Sequence, residues 1–390
     1  MKPASGRDAG GRVALVWVPA EPLRSITVRY ERYVRGFRRL GWEAITICLP
    51  AAADGYAEPV VVAPTTAALR DPEFYRSLGC EVGVAITWLG LPDVVRAMKQ
   101  AIPRVVSVSD SDGRIGARVH PAATLARGVH EQPTWGMRAR AVKFWLQQWL
   151  FGGGKFDADV MESTTAADRV TVTSPAAAAY LRRYFGHHRR PDLAGKVAVA
   201  PYPVDDDFLT RPVPPVGERV NRVVAIGRWD DPQKDARLLA DGVAWAAARS
   251  PGTEFVVVGR NGDAVTHHCQ RVRDLGVQPP EVVAELMRTS RVLLVSSRWE
   301  SGPIVAFEAV CSGATVVGPA WVPACRWLAP DGGRCFSRRS ASSVGAAVVS
   351  ELREWDAGHR DPAAVAAQWR PWFDPAEVCR RMLPPKGAGR

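Results

Sequence analysis

Two glutamates with seven residues between them, Glu300 and Glu308, enclose the segment of this 390-residue chain that is best suited to bind a ligand. Residues 292–295 predict a buried strand just before it, and ligands of open α/β sheets lie beyond the carboxyl ends of strands. Gly302 and Pro303 predict the start of a helix, whose first N–H groups and dipole favour a phosphate. The carboxylates suit the hydroxyl groups of a sugar or a ribose, although two solvated surface glutamates would show the same spacing.

A second strand end offers two cations. Residues 223–226 predict a strand, which is followed by Gly227 and Arg228, with Lys234 farther along the same loop. Arginine can bind phosphate oxygens in a bidentate fork and lysine supplies a point charge, so together they would neutralise a diphosphate as its bond breaks. A solvated loop is the alternative explanation for this segment taken alone.

The elements that must position these residues follow a βαβ pattern, in which short runs of Val and Ile alternate with segments of helical period. Predicted strands fall into two series, at residues 13–18, 44–49, 82–87, 104–109 and 169–173, and at residues 223–226, 254–258, 292–295 and 315–317. A segment with five prolines separates the two series. The predicted fold class is therefore α/β, with two Rossmann-like doubly wound domains facing a cleft. We place the domains at residues 1–205 and 217–369 and the linker at about 201–216, and expect a terminal helix within 370–390 to return to the first domain.

The composition is typical of a globular protein that stays in solution, with 47% hydrophobic and 23% charged residues. The formal charge of +11 predicts a surface that attracts anions, but no motif of a nucleic-acid reader is present. Seven scattered cysteines without zinc-type spacing predict reduced thiols. Because we find neither the apolar core of a signal peptide nor about 18 consecutive apolar residues, we expect a cytoplasmic protein.

Together, these residues resemble the retaining glycosyltransferases of the GT-B fold, in group 1 and similar to family 4. The resemblance rests on the Gly-Arg pair with its following lysine and on the two glutamates seven residues apart. It extends over residues 167–317, where residues 167–174 resemble the strand that ends the first domain of the family. Residues 196–201 resemble the segment that enters its linker, and residues 256–259 the strand and turn before its base-binding region.

The resemblance implies transfer of a sugar from a nucleoside diphosphate sugar to an acceptor hydroxyl, with retention of anomeric configuration. Arg228 and Lys234 would stabilise the diphosphate, Glu308 would bind the ribose, and Glu300 with the backbone of residues 301–304 would bind the sugar. The departing phosphate would accept the proton of the acceptor, so no cofactor is expected beyond the donor substrate, and no metal. The candidate donor-binding residues are Gly227, Arg228, Lys234, Gly259, Arg260, Glu300, Ser301, Gly302, Pro303, Ile304 and Glu308. The candidate catalytic residues are Arg228, Lys234, Glu300 and Asp110.

The first domain departs from the family pattern at two loops. Many members carry a glycine-rich loop after the first strand, whereas residues 19–26 contain no glycine. Many carry a histidine at a later strand end, where this chain has Asp110 and Asp112, which become candidates for part of that role. Asp110-Ser111-Asp112 also fits the Asp-x-Asp pattern with which the other large glycosyltransferase fold holds a metal, but a short acidic turn explains three residues as well.

The acceptor stays open as a small molecule, a glycan or a lipid-linked group. Residues 144–151, which are rich in Trp and Phe, follow Arg138, Arg140 and Lys143 and could lie peripherally on a membrane. We expect them instead to pack against the first sheet. Residues 180–190 form a basic and aromatic stretch that suits an acidic acceptor, a nucleic acid or an anionic lipid, or a solvated helix end.

Two other functions fit parts of the same pattern. A sugar-nucleotide epimerase or a phosphorylase on a similar double-domain scaffold would use the same donor site. A non-catalytic protein that binds an anionic polymer or a lipid would use only the basic surface.

Overall fold

The computed structural model describes residues 11–17, 24–49, 60–87, 91–130, 132 and 134–384. Most of the predicted loop at residues 19–26 lies outside these residues. The described residues form two fully parallel sheets, which confirms the α/β class with two doubly wound units.

The first sheet contains seven parallel strands. They are β1 (Arg12–Trp17), β2 (Glu43–Cys48), β3 (Val60–Val62), β4 (Val82–Thr87), β5 (Arg104–Ser109), β6 (Arg169–Val172) and β7 (Val197–Val199). Their order across the sheet is β3-β2-β1-β4-β5-β6-β7, so the direction of winding reverses between β1 and β4. Alternate residues of β1 enter different cores, with Val13 and Leu15 on one face and Ala14 and Val16 on the other, so both faces are covered.

The second sheet contains six parallel strands. They are β8 (Val220–Ile226), β9 (Glu254–Val258), β10 (Val272–Asp274), β11 (Ser290–Leu294), β12 (Thr315–Pro319) and β13 (Gly333–Phe336). Their order is β10-β9-β8-β11-β12-β13, so winding reverses between β8 and β11. Ligands of such sheets bind at this switch point, and the two predicted functional loops follow these two strands.

Seventeen α-helices within the described residues surround the sheets. Those of the first half are α1 (Arg24–Arg39), α2 (Pro72–Ser77), α3 (Pro92–Ala101), α4 (Pro121–His130), α5 (Trp135–Phe151), α6 (Lys155–Ala166), α7 (Pro175–His187), α8 (Pro191–Gly195) and α9 (Asp206–Leu209). Those of the second half are α10 (Ala236–Ala247), α11 (Asp263–Thr266), α12 (Pro280–Thr289), α13 (Ile304–Cys311), α14 (Pro323–Gly332), α15 (Ala341–Asp356), α16 (Pro362–Phe373) and α17 (Pro375–Met382).

Local sequence explains many of the helix starts. Proline is favoured at a first helical position because its missing N–H would have no partner there, and it opens α2, α3, α7, α8, α12, α14, α16 and α17. Ser174 shows the accompanying cap, since its Oγ accepts a hydrogen bond from the N–H of Ala177 at 3.2 Å.

One hydrophobic core continues through the linker from the first domain into the second. It joins Leu15 and Phe37 to Tyr202 and Phe208 of the linker and to Phe307 of α13. The terminal helix α17 packs on α1 of the first domain. Arg169 at the start of β6 donates to the carbonyls of Arg381 and Leu383 at 2.8 and 2.7 Å, which ties the chain end to the first sheet.

The expectation that residues 144–151 pack against the first sheet is wrong. They belong to α5, which lies on α4, and none of the residues of α5 is buried. Trp135 and Phe151, at its two ends, are each 82% exposed. A run of Trp, Phe and Leu indicates apolar surface but does not indicate which element covers it. In the part of the chain that the structure describes, no helix combines the length and apolar character that crossing a bilayer requires.

Candidate functional site

The loop after β8 is fixed against the end of β9. The N–H of Gly227 donates to the carbonyl of Val258 at 3.0 Å, and the buried indole of Trp229 donates to the same carbonyl at 3.2 Å. Gly259 has φ +120°, and a Cβ there would lie 1.9 Å from the carbonyl oxygen of Gly227. Only glycine fits such an approach, so the glycine pair sets the course of the loop.

The two arginines of the predicted set lie at the rim of this loop. Arg228 donates to Asp231 at 2.6 Å with a side chain that is 49% exposed. Arg260 donates to Asp230 at 2.9 Å and is 61% exposed. Exposed ion pairs of this kind are weak and exchange readily, so both cations can turn toward an anion.

Lys234 and Glu300 meet at the centre of the site. The Lys234 Nζ donates to Oε1 of Glu300, and the hydroxyl of Ser297 donates to the same oxygen at 3.0 Å. The hydroxyl of Ser296 holds the carbonyl of Lys234 at 2.6 Å. Both charged side chains are largely buried, with exposures of 19% for Lys234 and 10% for Glu300. The cation and the carboxylate that the sequence placed on separate strand ends therefore form one buried pair.

The N-terminus of α13 opens beside this pair. Pro303 precedes the helix, and among the described residues the N–H groups of Gly302, Ile304 and Val305 have no hydrogen-bond acceptor. Lys234, Glu300, Pro303 and Val305 lie around a recess of only about 10 Å³. Unpaired N–H groups at a helix start carry partial positive charge, so the start of α13 favours a phosphate or another anion.

Asp110 brings the first domain to the same site. Its Oδ1 accepts hydrogen bonds from the hydroxyl of Ser301 at 2.7 Å and from the hydroxyl of Tyr202 in the linker. Thr173, after β6, donates to the carbonyl of Ser301. Gly302 permits this close contact, since a Cβ there would lie 3.0 Å from the side chain of Thr173. The loop between the two glutamates is therefore held by both domains and the linker.

A cavity of about 220 Å³ lies between the domains at this contact. Asp110 and Arg127 line it from the first domain, and Gln233, Glu300 and Ser301 line it from the second. Its walls are mostly polar side chains, which suits a ligand with several hydroxyl groups. Of the predicted site residues, Asp110 of the first domain thus lines the same cavity as Glu300 and Ser301 of the second.

Asp112 is held by arginines of its own domain. Its fully buried carboxylate accepts from Arg114 at 3.0 and 2.5 Å and from Arg127 at 2.7 Å. Burial alone would raise the pKa of Asp112, but the charges of Arg127 and Arg114 outweigh burial and hold the pKa below its usual value. Asp112 is therefore a charged structural anchor for the loop that carries Asp110. Across the described ranges, no group of three or more His, Cys, Asp or Glu side chains is arranged to hold a metal ion.

The side chain of Glu308 points toward α1 and the linker, away from the Lys234–Glu300 pair. Its Oε1 accepts from Arg32 of α1 at 2.8 Å, and Arg32 also donates to Asp205 of the linker at 2.7 Å. Arg32 and Glu308 are each only 6% exposed. Burial raises the pKa of Glu308, and the charge of Arg32 opposes this only in part. The ribose contact that the resemblance implies stays a prediction, and a ribose would have to share this carboxylate with Arg32.

Three residues that contact the site were not predicted from the sequence as site residues. Arg32 reaches Glu308 across 276 residues, and its helix carries other arginines that look the same in sequence. Tyr202 and Thr173 enter the site only because the linker and the end of β6 fold against the loop at Ser301. The one available signal was position, since Thr173 is the last residue of the strand predicted at 169–173, at its carboxyl end.

Comparison with known proteins gives two further findings. Residues 220–352, from β8 into α15, match the family model described as Glycosyl transferases group 1. No curated protein matches the chain.

Several solved structures have the same fold. HepE of Anabaena, in complex with UDP and glucose, is 14% identical, with 95% of this chain and 98% of that chain covered at a TM-score of 0.63. Sucrose-phosphate synthase of Thermosynechococcus elongatus is 18% identical, with 95% and 97% covered at a TM-score of 0.59. A glycosyltransferase of Rickettsia africae ESF-5 is 11% identical, with 95% and 96% covered at a TM-score of 0.63.

The two findings differ in how much of the chain they cover. The family match contains the whole second strand series and its site loops, from Gly227 to Glu308, whereas the likeness of fold extends over both domains. The protein therefore has the two-domain GT-B fold, and its residues 220–352 are similar to the glycosyl transferases of group 1.

Proposed function

We propose that the protein transfers a sugar from a nucleoside diphosphate sugar to an acceptor hydroxyl in the cleft, with retention of anomeric configuration. The observation that carries the proposal is the buried Lys234–Glu300 pair beside the open N-terminus of α13, at the switch point of the second sheet. A cation and a carboxylate next to the free N–H groups of a helix start match the phosphate and hydroxyl groups of such a donor.

In this proposal the diphosphate lies over the start of α13. Lys234 supplies a fixed charge, and Arg228 leaves its exposed pair with Asp231 to bind the same phosphates. Glu300 and the backbone at Ser301 bind hydroxyl groups of the sugar in the cavity between the domains. Because the donor site is preorganised, positive charge is in place where negative charge develops on the leaving group.

The proposed reaction breaks the bond between C1 of the sugar and the phosphate oxygen and forms a bond from C1 to the acceptor oxygen on the same face. The leaving phosphate takes the proton of the acceptor hydroxyl, so protons balance without a separate base. Asp110, which lies in the cleft at the contact with Ser301, positions the acceptor or a sugar hydroxyl. The two cations and the dipole of α13 offset the charge of the diphosphate, and the proposal requires neither a metal nor a cofactor.

Donor binding tests the proposal directly. A thermal-shift screen of nucleoside diphosphate sugars should begin with UDP-glucose, because the similar HepE structure contains UDP and glucose. For the donor found, calorimetry should show affinity at least about tenfold weaker in Arg228→Ala and Glu300→Gln, since each removes a charged hydrogen-bond partner. Arg237→Ala is the matched control, because Arg237 is an exposed cation paired only with neighbours outside the site.

The outcomes separate the candidate functions. Unchanged affinity in both site variants would contradict the donor site. An epimerised donor formed without acceptor would favour the epimerase instead, and an inverted anomeric signal of the product by NMR would contradict retention alone.

A further inference from the structure

A groove of about 570 Å³ lies between α4, α5 and the start of α6 in the first domain. Its apolar lining comes from Met137, Phe144, Trp145 and Phe156. The volume is within the usual range of about 300 to 1,000 Å³ for small-molecule sites. The groove is thus large enough for a ligand and is apolar over most of its length.

The groove is part of a preformed structure. Thr134 caps α5 through the N–H of Met137, and the indole of Trp145 donates to Thr124 of α4 at 3.1 Å. Arg118 donates to the carbonyl of Trp149 at the end of α5 at 2.9 Å. These bonds fix a helix pair whose apolar side chains stay exposed, and exposed apolar patches of this kind mark binding surfaces.

The positive charge of α5 indicates an anionic partner. The sequence of α5 contains Arg138, Arg140 and Lys143 and no carboxylate. Combined with exposed Trp and Phe side chains, such a helix suits the boundary between hydrocarbon and anionic headgroups better than it suits a protein surface.

The groove also adjoins the cavity in the cleft. Arg127 lines both the groove and the cavity that contains Asp110 and Glu300, and Arg114 lines the groove at the same end. Asp112 neutralises one of these two arginines, which leaves one net positive charge. The Nε of Arg127 is buried and has no hydrogen-bond partner within the described residues. A ligand with a hydrocarbon chain in the groove would therefore place an anionic headgroup at the mouth of the cleft.

We propose that this groove binds the hydrocarbon chain of an anionic lipid acceptor. The phosphate-bearing headgroup lies at Arg114 and Arg127, and the acceptor hydroxyl extends into the cavity beside Asp110. The inference rests on the proposed function and adds to it the chemical class of the acceptor.

Two glycines, one on α4 and one on α5, provide a matched test. Gly128 lies in the groove and Gly136 lies outside its lining, and at both positions no described atom is within 4 Å of where a Cβ would be. Gly128→Leu should fill the groove without displacing its walls, whereas Gly136→Leu should leave it open. Both substitutions replace a helical glycine, so they affect the helices similarly.

The probe is dihexanoyl phosphatidic acid at concentrations where it is monomeric, with dihexanoyl phosphatidylcholine for comparison, titrated by calorimetry. We expect the wild type and Gly136→Leu to bind the anionic lipid equally and at least tenfold more tightly than the zwitterionic lipid. Gly128→Leu should weaken binding at least tenfold.

Affinity for the nucleoside diphosphate sugar is measured on the same samples. The lipid site is overturned if the wild type binds no lipid, or if both glycine variants lose lipid affinity equally, while donor affinity is unchanged. Either result leaves the proposed function standing. Absent donor binding in the wild type overturns the proposed function itself. Concentration-dependent dimerisation that Gly128→Leu abolishes would assign the groove to a second copy of the chain and overturn the lipid acceptor.

Discussion

The two sides of the cleft are built in opposite ways. On the second-domain side, Lys234 and Glu300 are largely buried and hydrogen-bonded to each other. The carbonyl of Lys234 and the carboxylate of Glu300 also accept hydrogen bonds from the hydroxyls of Ser296 and Ser297. On the first-domain side, α5 has no buried residue and its aromatic side chains face outward. A diphosphate and a sugar require charges held in place, whereas an apolar chain requires only an accessible surface of suitable shape.

The same contrast predicts where substitutions change the protein most. On the donor side, Lys234 and Glu300 are largely buried against each other, so removing either one leaves a desolvated charge. Side chains on α5 gain little from folding because they stay exposed.

Arg32→Met should have the largest effect on stability. It leaves Glu308 buried without its cation, and breaking such a pair costs about 3 to 5 kcal/mol. Urea unfolding should show this loss, and the double variant Arg32→Met/Glu308→Gln should recover part of it because the uncompensated charge is gone.

The exposed Arg39 serves as a control for this measurement. It pairs with Asp206 and Asp374 at 38% exposure, so Arg39→Met should cost less than about 1 kcal/mol. Equal losses of unfolding free energy in the Arg32 and Arg39 variants would show that burial does not set the strength of these ion pairs.

Lys234→Ala should have the largest effect on catalysis. Removing one preorganised charge that stabilises a developing anion typically lowers kcat by about 10²- to 10³-fold. Steady-state rates with the identified donor and acceptor measure this loss, with Arg237→Ala as the exposed control on the following helix. A decrease of less than about threefold would argue against a role for Lys234 at the diphosphate.

The sequence predicted the regular parts of this molecule better than its contacts. The long Val- and Ile-rich strands, such as β4, β5 and β9, were predicted at the residues where they occur, because strands buried on both faces leave a continuous apolar run. The short strands β3, β7, β10 and β13 were not predicted. Each has three or four residues at a sheet edge, which is too few for a period to be visible.

The site divides in the same way. Lys234 and Glu300 could be brought together from sequence, because the carboxyl ends of neighbouring parallel strands meet at one edge of a sheet. The partner of Glu308 could not, since Arg32 lies on another domain and its role depends on how the linker folds. The exposure of α5 could not be predicted either, because helical period does not reveal whether another element covers a face.

Gly302→Val should have an intermediate effect. A Cβ at this position already lies 3.0 Å from Thr173 and 3.1 Å from Tyr202, so the larger side chain must push the two domains apart. Overpacking of this kind costs about 1 to 3 kcal/mol. Thermal unfolding measures the cost, and small-angle scattering should show a more open cleft. Gly136→Val, which has free space around it, is the control; equal changes in both variants would contradict the close contact at Gly302.

Trp135→Ser should have the smallest effect on stability. The side chain is 82% exposed, and the contact it loses is the one with Arg138, whose guanidinium lies 5.3 Å from the ring centroid. An exposed cation–π contact is worth about 0.5 to 1 kcal/mol, so urea unfolding should change by less than about 1 kcal/mol. A larger loss would mean that α5 is covered in solution by something that buries Trp135. A small loss means that this aromatic side chain contributes little to folding, so its apolar surface remains available for a ligand or a membrane.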